Sequence, residues 1–141
     1  MGRILAIDYG MKRIGIAVTD SLQIIATPLI TIQQKELITF LTDYIKKESV
    51  ELFVIGEPKR LNNEDTHLTA EVEICIKKLQ NAFPHIPIEK IDERYTSKIA
   101  SQEILASGIG KMARQNKERV DLVSATLILQ SYLIKSQKQT I

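Results

Sequence analysis

The sequence has no tryptophan, a single cysteine and only two histidines. The cysteine, Cys75, cannot form an internal disulfide, and neither it nor the histidines has a spacing typical of zinc ligands. No apolar run approaches the ~20 residues needed to span a bilayer. The first residues lack the layout of a signal peptide. These absences exclude a disulfide-stapled scaffold, a structural zinc site and a helical membrane protein. They predict a cytoplasmic protein without a membrane partner.

The chain also lacks any strong excess of charge. Its net charge is +2, which is too small to indicate a nucleic-acid partner by itself. With 44% apolar and 26% charged residues in 141, the composition is that of an ordinary globular protein. We therefore expect one domain over residues 1–141, since no repeat or linker divides it.

Hydrophobic periodicity predicts an α/β protein. Gly10 permits a tight turn between the first two strands, and Pro28 directs the third strand toward a sheet edge or a bulge. Because three strands come first and strands and helices then alternate, we expect a mixed five-stranded sheet with helices on its faces. The predicted strands are 3–8, 14–20, 22–32, 50–56 and 86–91, and the predicted helices are 35–47, 68–83, a short one from 96 to 108, and 118–133.

The first strand ends in a carboxylate that the pattern predicts to be buried. Alternation of side chains puts Ile4, Ala6 and Asp8 on one face. An unpaired buried carboxylate costs several kcal/mol, so Asp8 needs a partner unless it only forms the turn before Gly10.

Two further groups of acids stand at predicted element ends. Asp92 and Glu93 close the fifth strand, where a solvated ion pair with Arg94 is the ordinary alternative. Asp121 opens the last helix, where a carboxylate gains from the helix dipole. However, Asp121 shares its face with Ala125 and Ile128, so that face is small and then apolar.

These acids have one economical common explanation, which is that they converge on hard cations. Mg²⁺ prefers a few carboxylates and retains waters that phosphate oxygens can replace. Two such ions ~3.5–4 Å apart can stabilise both the attacking and the leaving oxygen of a phosphodiester displacement. We therefore predict Mg²⁺ as the cofactor, with Mn²⁺ as the alternative.

One segment concentrates positive charge. Residues 108–119 contain two glycines and a single acid, Glu118, beside four basic side chains, Lys111, Arg114, Lys117 and Arg119. This composition predicts a mobile basic loop where a phosphate backbone would bind. A solvated surface loop is the alternative interpretation.

Four stretches resemble, in order and spacing, the motifs of the YqgF/RuvX family: AIDYGMKRIGIAVTD, VIGEP, DERYTS and ERVDLVSATLILQSYL. The resemblance covers essentially the whole chain and implies a ribonuclease H-like fold. Members of this family are described as Holliday junction resolvases and as nucleases that mature the 5′ end of precursor 16S ribosomal RNA.

For this chain the resemblance implies a metal-dependent nuclease. Asp8, Glu93 and Asp121 would be its catalytic and metal-binding acids. The expected partner is nucleic acid, either precursor rRNA within ribosomal precursor particles or branched DNA. Substrate phosphates would contact a set of basic side chains: Lys12, Arg13, Arg94, Lys111, Arg114, Lys117 and Arg119.

One stretch departs from the family pattern. The sequence GEPKRLNNED at 56–65 stands where the family commonly has GLP…DG. Glu57 thus adds a carboxylate that could replace Glu93 as a ligand, and Asp92 is a second substitute. An actin- or hexokinase-like phosphotransferase is a rival interpretation, but it needs a second glycine-rich phosphate loop that is missing here. A non-catalytic nucleic-acid-binding module is the rival from another class.

Overall fold

The structure is a computed structural model that describes residues 2–10, 12–57, 67–92 and 117–139. The described elements alternate as the sequence pattern predicts. The strands are β1 (Arg3–Tyr9), β2 (Arg13–Thr19), β3 (Ala26–Gln33), β4 (Val50–Glu57) and β5 (Ile88–Asp92). The helices are α1 (Leu37–Lys47), which a 3₁₀ turn (Gln34–Glu36) precedes, α2 (His67–Ala82) and α3 (Lys117–Gln139).

The five strands form one mixed sheet in the order β3-β2-β1-β4-β5. The pairs β1–β2 and β2–β3 are antiparallel, whereas β1–β4 and β4–β5 are parallel. Short turns can join antiparallel neighbours, while parallel pairs need crossovers, which helices supply here. The predicted mixed five-stranded sheet is confirmed.

Helices cover both faces of this sheet, and the alternation along β1 separates the two layers. Leu5 and Ile7 belong to a core cluster that includes Leu41 of α1 and Leu79 of α2. Ala6, which points the other way, belongs to a second cluster. That cluster contains side chains of β1, β2, β4, β5 and α3: Ile4, Ala6, Ala17, Val54, Ile91, Ala125, Ile128, Leu129 and Leu133. Helices α1 and α2 therefore cover one face and α3 the other.

The third strand lies at the sheet edge and carries a bulge, as Pro28 predicts. Ile16 pairs with Ile30 but Ala17 pairs with Pro28, so Leu29 is the extra residue. A bulge at an edge strand accommodates proline, because proline has no N–H to donate to the ladder.

The predicted start of this strand is wrong, because β3 begins at Ala26 and not at residue 22. The Asp20 carboxylate accepts hydrogen bonds from the backbone N–H groups of Leu22, Ile24 and Ile25 at 2.8–3.2 Å. These donors are therefore not available to a β ladder, and a local side-chain bond replaces the strand. The pKa of Asp20 is lowered, chiefly by the bonds from Ile25 and Ile24.

The last helix is longer than predicted, since it continues to Gln139 instead of ending near residue 133. Residues 117–119, which the sequence assigns to a basic loop, already belong to its first turn. The short helix predicted over 96–108 and residues 108–116 lie outside the described residues. Among the helices described, none is long and apolar enough to cross a membrane.

Candidate active site at the carboxyl edge of the sheet

The carboxyl ends of β1, β4 and β5 meet at one edge of the sheet, because these three strands are parallel neighbours. Acidic residues stand at the end of each. Asp8 is the penultimate residue of β1, Glu57 ends β4, and Asp92 ends β5. The register pairs Glu57 with Asp92 and Ile7 with Ile55. Acidic positions far apart in the sequence are thus brought to one edge of the sheet.

Asp8 is half-buried, whereas its strand neighbours Ile7 and Tyr9 are buried. Glycine flanks it in both neighbouring strands. Gly15 of β2 is its registered partner, and Gly56 of β4 directly follows Ile55, the partner of Ile7. The carboxylate therefore stands in a row of the sheet with no side chain on either side. Sequence reasoning missed this role of the two glycines, although glycine inside a strand often marks such a close approach.

Helix α3 lies on the face of the sheet that Asp8 shares with Ile4 and Ala6. Ala125 of α3 is completely buried in that layer, so the helix lies close to the strands. Asp121 is four residues before Ala125 in the same helix, and residues four apart are neighbours on a helix surface. The helix that carries Asp121 thus covers the same face as Asp8.

Glu57 and Asp92 are the two substitute ligands. Their strand positions lie on the opposite face of the sheet from the position of Asp8. Position 57 is on the same side of β4 as Phe53 and Ile55, which belong to the α1/α2 layer. In β5 the α3 layer contains Ile91, the residue just before Asp92 and two before Glu93. Strand alternation therefore places positions 57 and 92 on the other face of the sheet from Asp8.

The turn between β1 and β2 brings Lys12 and Arg13 to the same edge. The Gly10 N–H donates a hydrogen bond to the Arg13 carbonyl oxygen at 3.0 Å. A Cβ atom at Gly10 would lie 2.6 Å from that oxygen. Gly10 is thus required for close approach of the backbone. Lys12 is exposed and Arg13 is half-buried at the entrance to β2.

The remaining predicted site residues are not among the described side chains. Glu93, Arg94, Lys111 and Arg114 lie outside the described residues, and the backbone alone is described for Lys117, Arg119 and Asp121. Within the described side chains, no group of three or more His, Cys, Asp or Glu could hold a metal ion.

Tyr9 follows Asp8 but lies on the other face, within the α1/α2 layer. Burial raises its pKa to about 12, with the nearby Cys75 and Glu71 adding to the shift. The Tyr9 hydroxyl hydrogen-bonds the Glu71 carboxylate. Tyr9 therefore stays protonated at neutral pH and anchors β1 to α2.

Nearly the whole chain is similar to a known family. A family model described as "RuvX: Holliday junction resolvase" matches residues 2–135. A protein of Flavobacterium psychrophilum named "Putative pre-16S rRNA nuclease" is 53% identical over 135 residues, which cover 96% of this chain and 98% of that protein. A protein of Porphyromonas gingivalis with the same name is 53% identical over 133 residues, covering 94% of this chain and 96% of that protein.

Solved structures show the same fold at low identity. Thermus thermophilus RuvC in complex with a Holliday junction substrate superposes with a TM-score of 0.61 at 12% identity, covering 96% of this chain and 97% of that one. A second T. thermophilus RuvC structure gives 0.54 at 10% identity, covering 89% and 92%. The predicted ribonuclease H-like fold is confirmed by this likeness.

Proposed function

The chain belongs to the RuvX family, and from this premise we propose that it is a metal-dependent nuclease that hydrolyses phosphodiester bonds in structured nucleic acid. The observation that carries the proposal is the position of α3. This helix lies on the sheet face of Ile4, Ala6 and Asp8, and it contains Asp121. Had α3 covered the other face, Asp8 and Asp121 could not act together.

The proposed substrate is the 5′ region of precursor 16S rRNA, and ribosomal precursor particles are the proposed setting. The names of the F. psychrophilum and P. gingivalis relatives support it, since both are about half identical over nearly their full length. A Holliday junction is the second candidate. The description of the family model and the likeness to junction-bound RuvC favour it.

The donor set fits Mg²⁺ in kind. The proposed ligands are the carboxylates of Asp8, Glu93 and Asp121, and hard divalent ions prefer oxygen donors of this type. Mg²⁺, or Mn²⁺ in its place, would supply charge neutralisation at the scissile phosphate and a water of lowered pKa. Half-burial of Asp8 in a glycine-flanked row would restrict the carboxylate to few orientations while leaving space for a phosphate group.

The basic residues would hold the substrate backbone. Lys12 and Arg13 stand in the turn directly after the strand that ends near Asp8. Lys117 and Arg119 lie at the beginning of α3, and the N-terminal end of a helix favours an anion. Arg94, Lys111 and Arg114 complete the proposed set. Together they would neutralise phosphates next to the cleaved bond.

We place the protein in the cytoplasm. Cys75 is a free, buried thiol whose pKa burial raises to about 11. A thiol of this kind is unreactive, which is consistent with a core residue in a reducing compartment.

Replacing Asp8 by Asn tests the site. We expect Mg²⁺-dependent cleavage to fall by at least about 100-fold, since even residues that only support metal ligands cost 10–100-fold when mutated. The metal-free melting temperature should stay equal or rise, because the amide keeps the shape and removes repulsion from neighbouring acids. Asp43→Asn, at an exposed position of α1, is the matched control. Wild-type cleavage by the Asp8→Asn protein would reject Asp8 as a ligand.

The substrate is tested separately, by offering wild-type protein a precursor 16S rRNA fragment and a four-way DNA junction in the same Mg²⁺ buffer. We expect faster cleavage of the RNA fragment. Preferential cleavage of the junction would establish the second candidate. Binding of both without cleavage of either would identify a non-catalytic module.

A further inference from the structure

A groove of about 440 Å³ opens on the α1/α2 side of the same sheet edge. It lies between the β1–β2 turn, the end of β3 and the helix α2. Its polar lining includes Lys12, Lys35 and Lys78, together with Gln33 and Gln34. The three lysines are 23 and 43 residues apart in the sequence, and only the fold collects them.

The lysines of this groove are available to bind an anion. All three lysines are exposed, and within the described ranges none of them takes part in an ion pair. Within the part of the chain that the structure describes, two acids lie nearby. Glu71 accepts a hydrogen bond from Tyr9, whose ring lines the groove, and Glu36 lines the adjoining space. Among the described side chains, these three ammonium groups outnumber the two carboxylates, so the groove favours an anion.

A second groove adjoins the first one on the β2–β3 side of the turn. It has a volume of about 430 Å³ and shares Lys12 and Gln33 with the first. Arg13 also lines it, at the turn that follows Asp8. Lys12 therefore lines both grooves, in the turn that follows the strand carrying Asp8, and Lys35 and Lys78 line the first groove with it.

The floor of the first groove is apolar. It consists of Leu37, Ile38 and Cys75, with Ile74 of α2 exposed to 50% at its side. A volume of this size lies within the roughly 300–1,000 Å³ of small-molecule sites, so it admits single nucleotides. Unpaired strands offer apolar base and sugar faces to such a floor, whereas a duplex keeps its bases stacked inside.

We propose that this groove binds an unpaired strand of the substrate that flanks the cleaved bond, with its phosphates at Lys35 and Lys78. The inference rests on the proposed nuclease function for the identity of the strand. It adds a substrate contact on the sheet face opposite α3. Lys12, which lines the groove and stands four residues after Asp8, belongs both to this contact and to the proposed phosphate-binding set.

The test compares two double variants with equal loss of charge. Lys35→Ala/Lys78→Ala removes the groove lysines, and Lys46→Ala/Lys77→Ala removes two exposed lysines of α1 and α2 that do not line it. Adjacent helix residues face different directions, so Lys77 is a close control for Lys78. Circular dichroism and melting temperature verify the fold of both variants.

Binding is measured by fluorescence anisotropy with a labelled 12-nucleotide single-stranded RNA and a 12-base-pair RNA duplex. The buffer contains no divalent ions, and salt is varied from about 50 to about 200 mM. Each phosphate neutralised on a single strand contributes about 0.7 to the logarithmic salt slope, so losing two should flatten it by about 1.4. Over this fourfold salt range, wild-type affinity should then fall about sevenfold more than that of the Lys35→Ala/Lys78→Ala variant.

The slope of the Lys46→Ala/Lys77→Ala control should equal that of the wild type. An equal flattening of the salt slope in the control would show that only net charge matters. It would overturn the proposal that the groove binds the strand. If duplex binding changes as much as single-strand binding, the assignment to an unpaired strand is wrong. Because no cleavage occurs without divalent ions, these outcomes are independent of whether the protein proves to be a nuclease.

Discussion

Enlarging the side chain at position 125 should move Asp121 on α3 away from Asp8 on β1. Ala125 is completely buried in the layer between α3 and the sheet, in one cluster with Ala6 and Ala17. Small side chains on both sides let the helix lie close to the strands. Leucine at position 125 adds three carbons at a completely buried position between the helix and the sheet, so we expect α3 to move away from the sheet. Position 121 is only four residues, or about 6 Å, along the same helix.

The expected magnitudes follow from this geometry. Overpacking of a filled core costs about 1–3 kcal/mol of unfolding free energy. For a chain of this size that lowers the melting temperature by roughly 2–4 °C per kcal/mol. Because a misplacement of ~1 Å can cost about 100-fold in rate, the Ala125→Leu protein should lose about 100-fold in kcat while it remains folded.

The assay needs a control that is destabilised at least as much but leaves the site alone. Leu133→Ala removes a buried side chain from the same helix and cluster, twelve residues or about 18 Å from Asp121. Truncation of a buried leucine costs about 2–5 kcal/mol. We expect near wild-type kcat from it in cleavage assays well below both melting temperatures. If Ala125→Leu is destabilised but cleaves at the wild-type rate, α3 contributes no catalytic group and the proposed site is wrong.

Two further perturbations test the elements around the site. Gly10→Ala should destabilise the protein by about 1–3 kcal/mol in urea titrations, because its Cβ would lie 2.6 Å from the Arg13 carbonyl oxygen and the turn must open; a neutral effect would show that the turn relaxes freely. Asp20→Ala should lower the urea midpoint at pH 7, because it removes the acceptor of three backbone N–H groups. Since the pKa of Asp20 is lowered in the folded protein, its stabilisation is present above the usual carboxyl pKa of about 3.9 and is lost as pH falls through the folded value. Wild type and variant should therefore converge on acidification, and a constant difference down to pH 2 would contradict this explanation.

The sequence by itself determined the local elements and the face of each side chain in β1. Period-two alternation separates Ala6 from Ile7, and the structure puts these two in different core layers. The missing N–H of Pro28 likewise predicts the edge and the bulge. Side-chain alternation and the missing proline N–H are properties of single residues and their neighbours in the chain. The sequence is therefore sufficient to predict their effects.

Some errors of sequence reasoning were also local. The apolar run from Leu22 reads as strand, but the Asp20 side chain occupies its N–H groups. The Asp20 carboxylate and a neighbouring strand compete for the same backbone N–H groups. The outcome depends on the loop geometry, about which hydrophobic periodicity gives no information.

Only the tertiary structure decided which residues meet. The pattern of α3 shows an apolar stripe around Ala125 but not which face of the sheet receives it. The glycine row beside Asp8 exists because of strand register, since Gly15 is its partner across a hairpin and Gly56 comes from a parallel crossover. In the same way, the meeting of Lys12 with Lys35 and Lys78 depends on packing among β1, β3 and α2. Contacts of this range depend on how the layers fit together in space, and no periodicity within a single element contains that information.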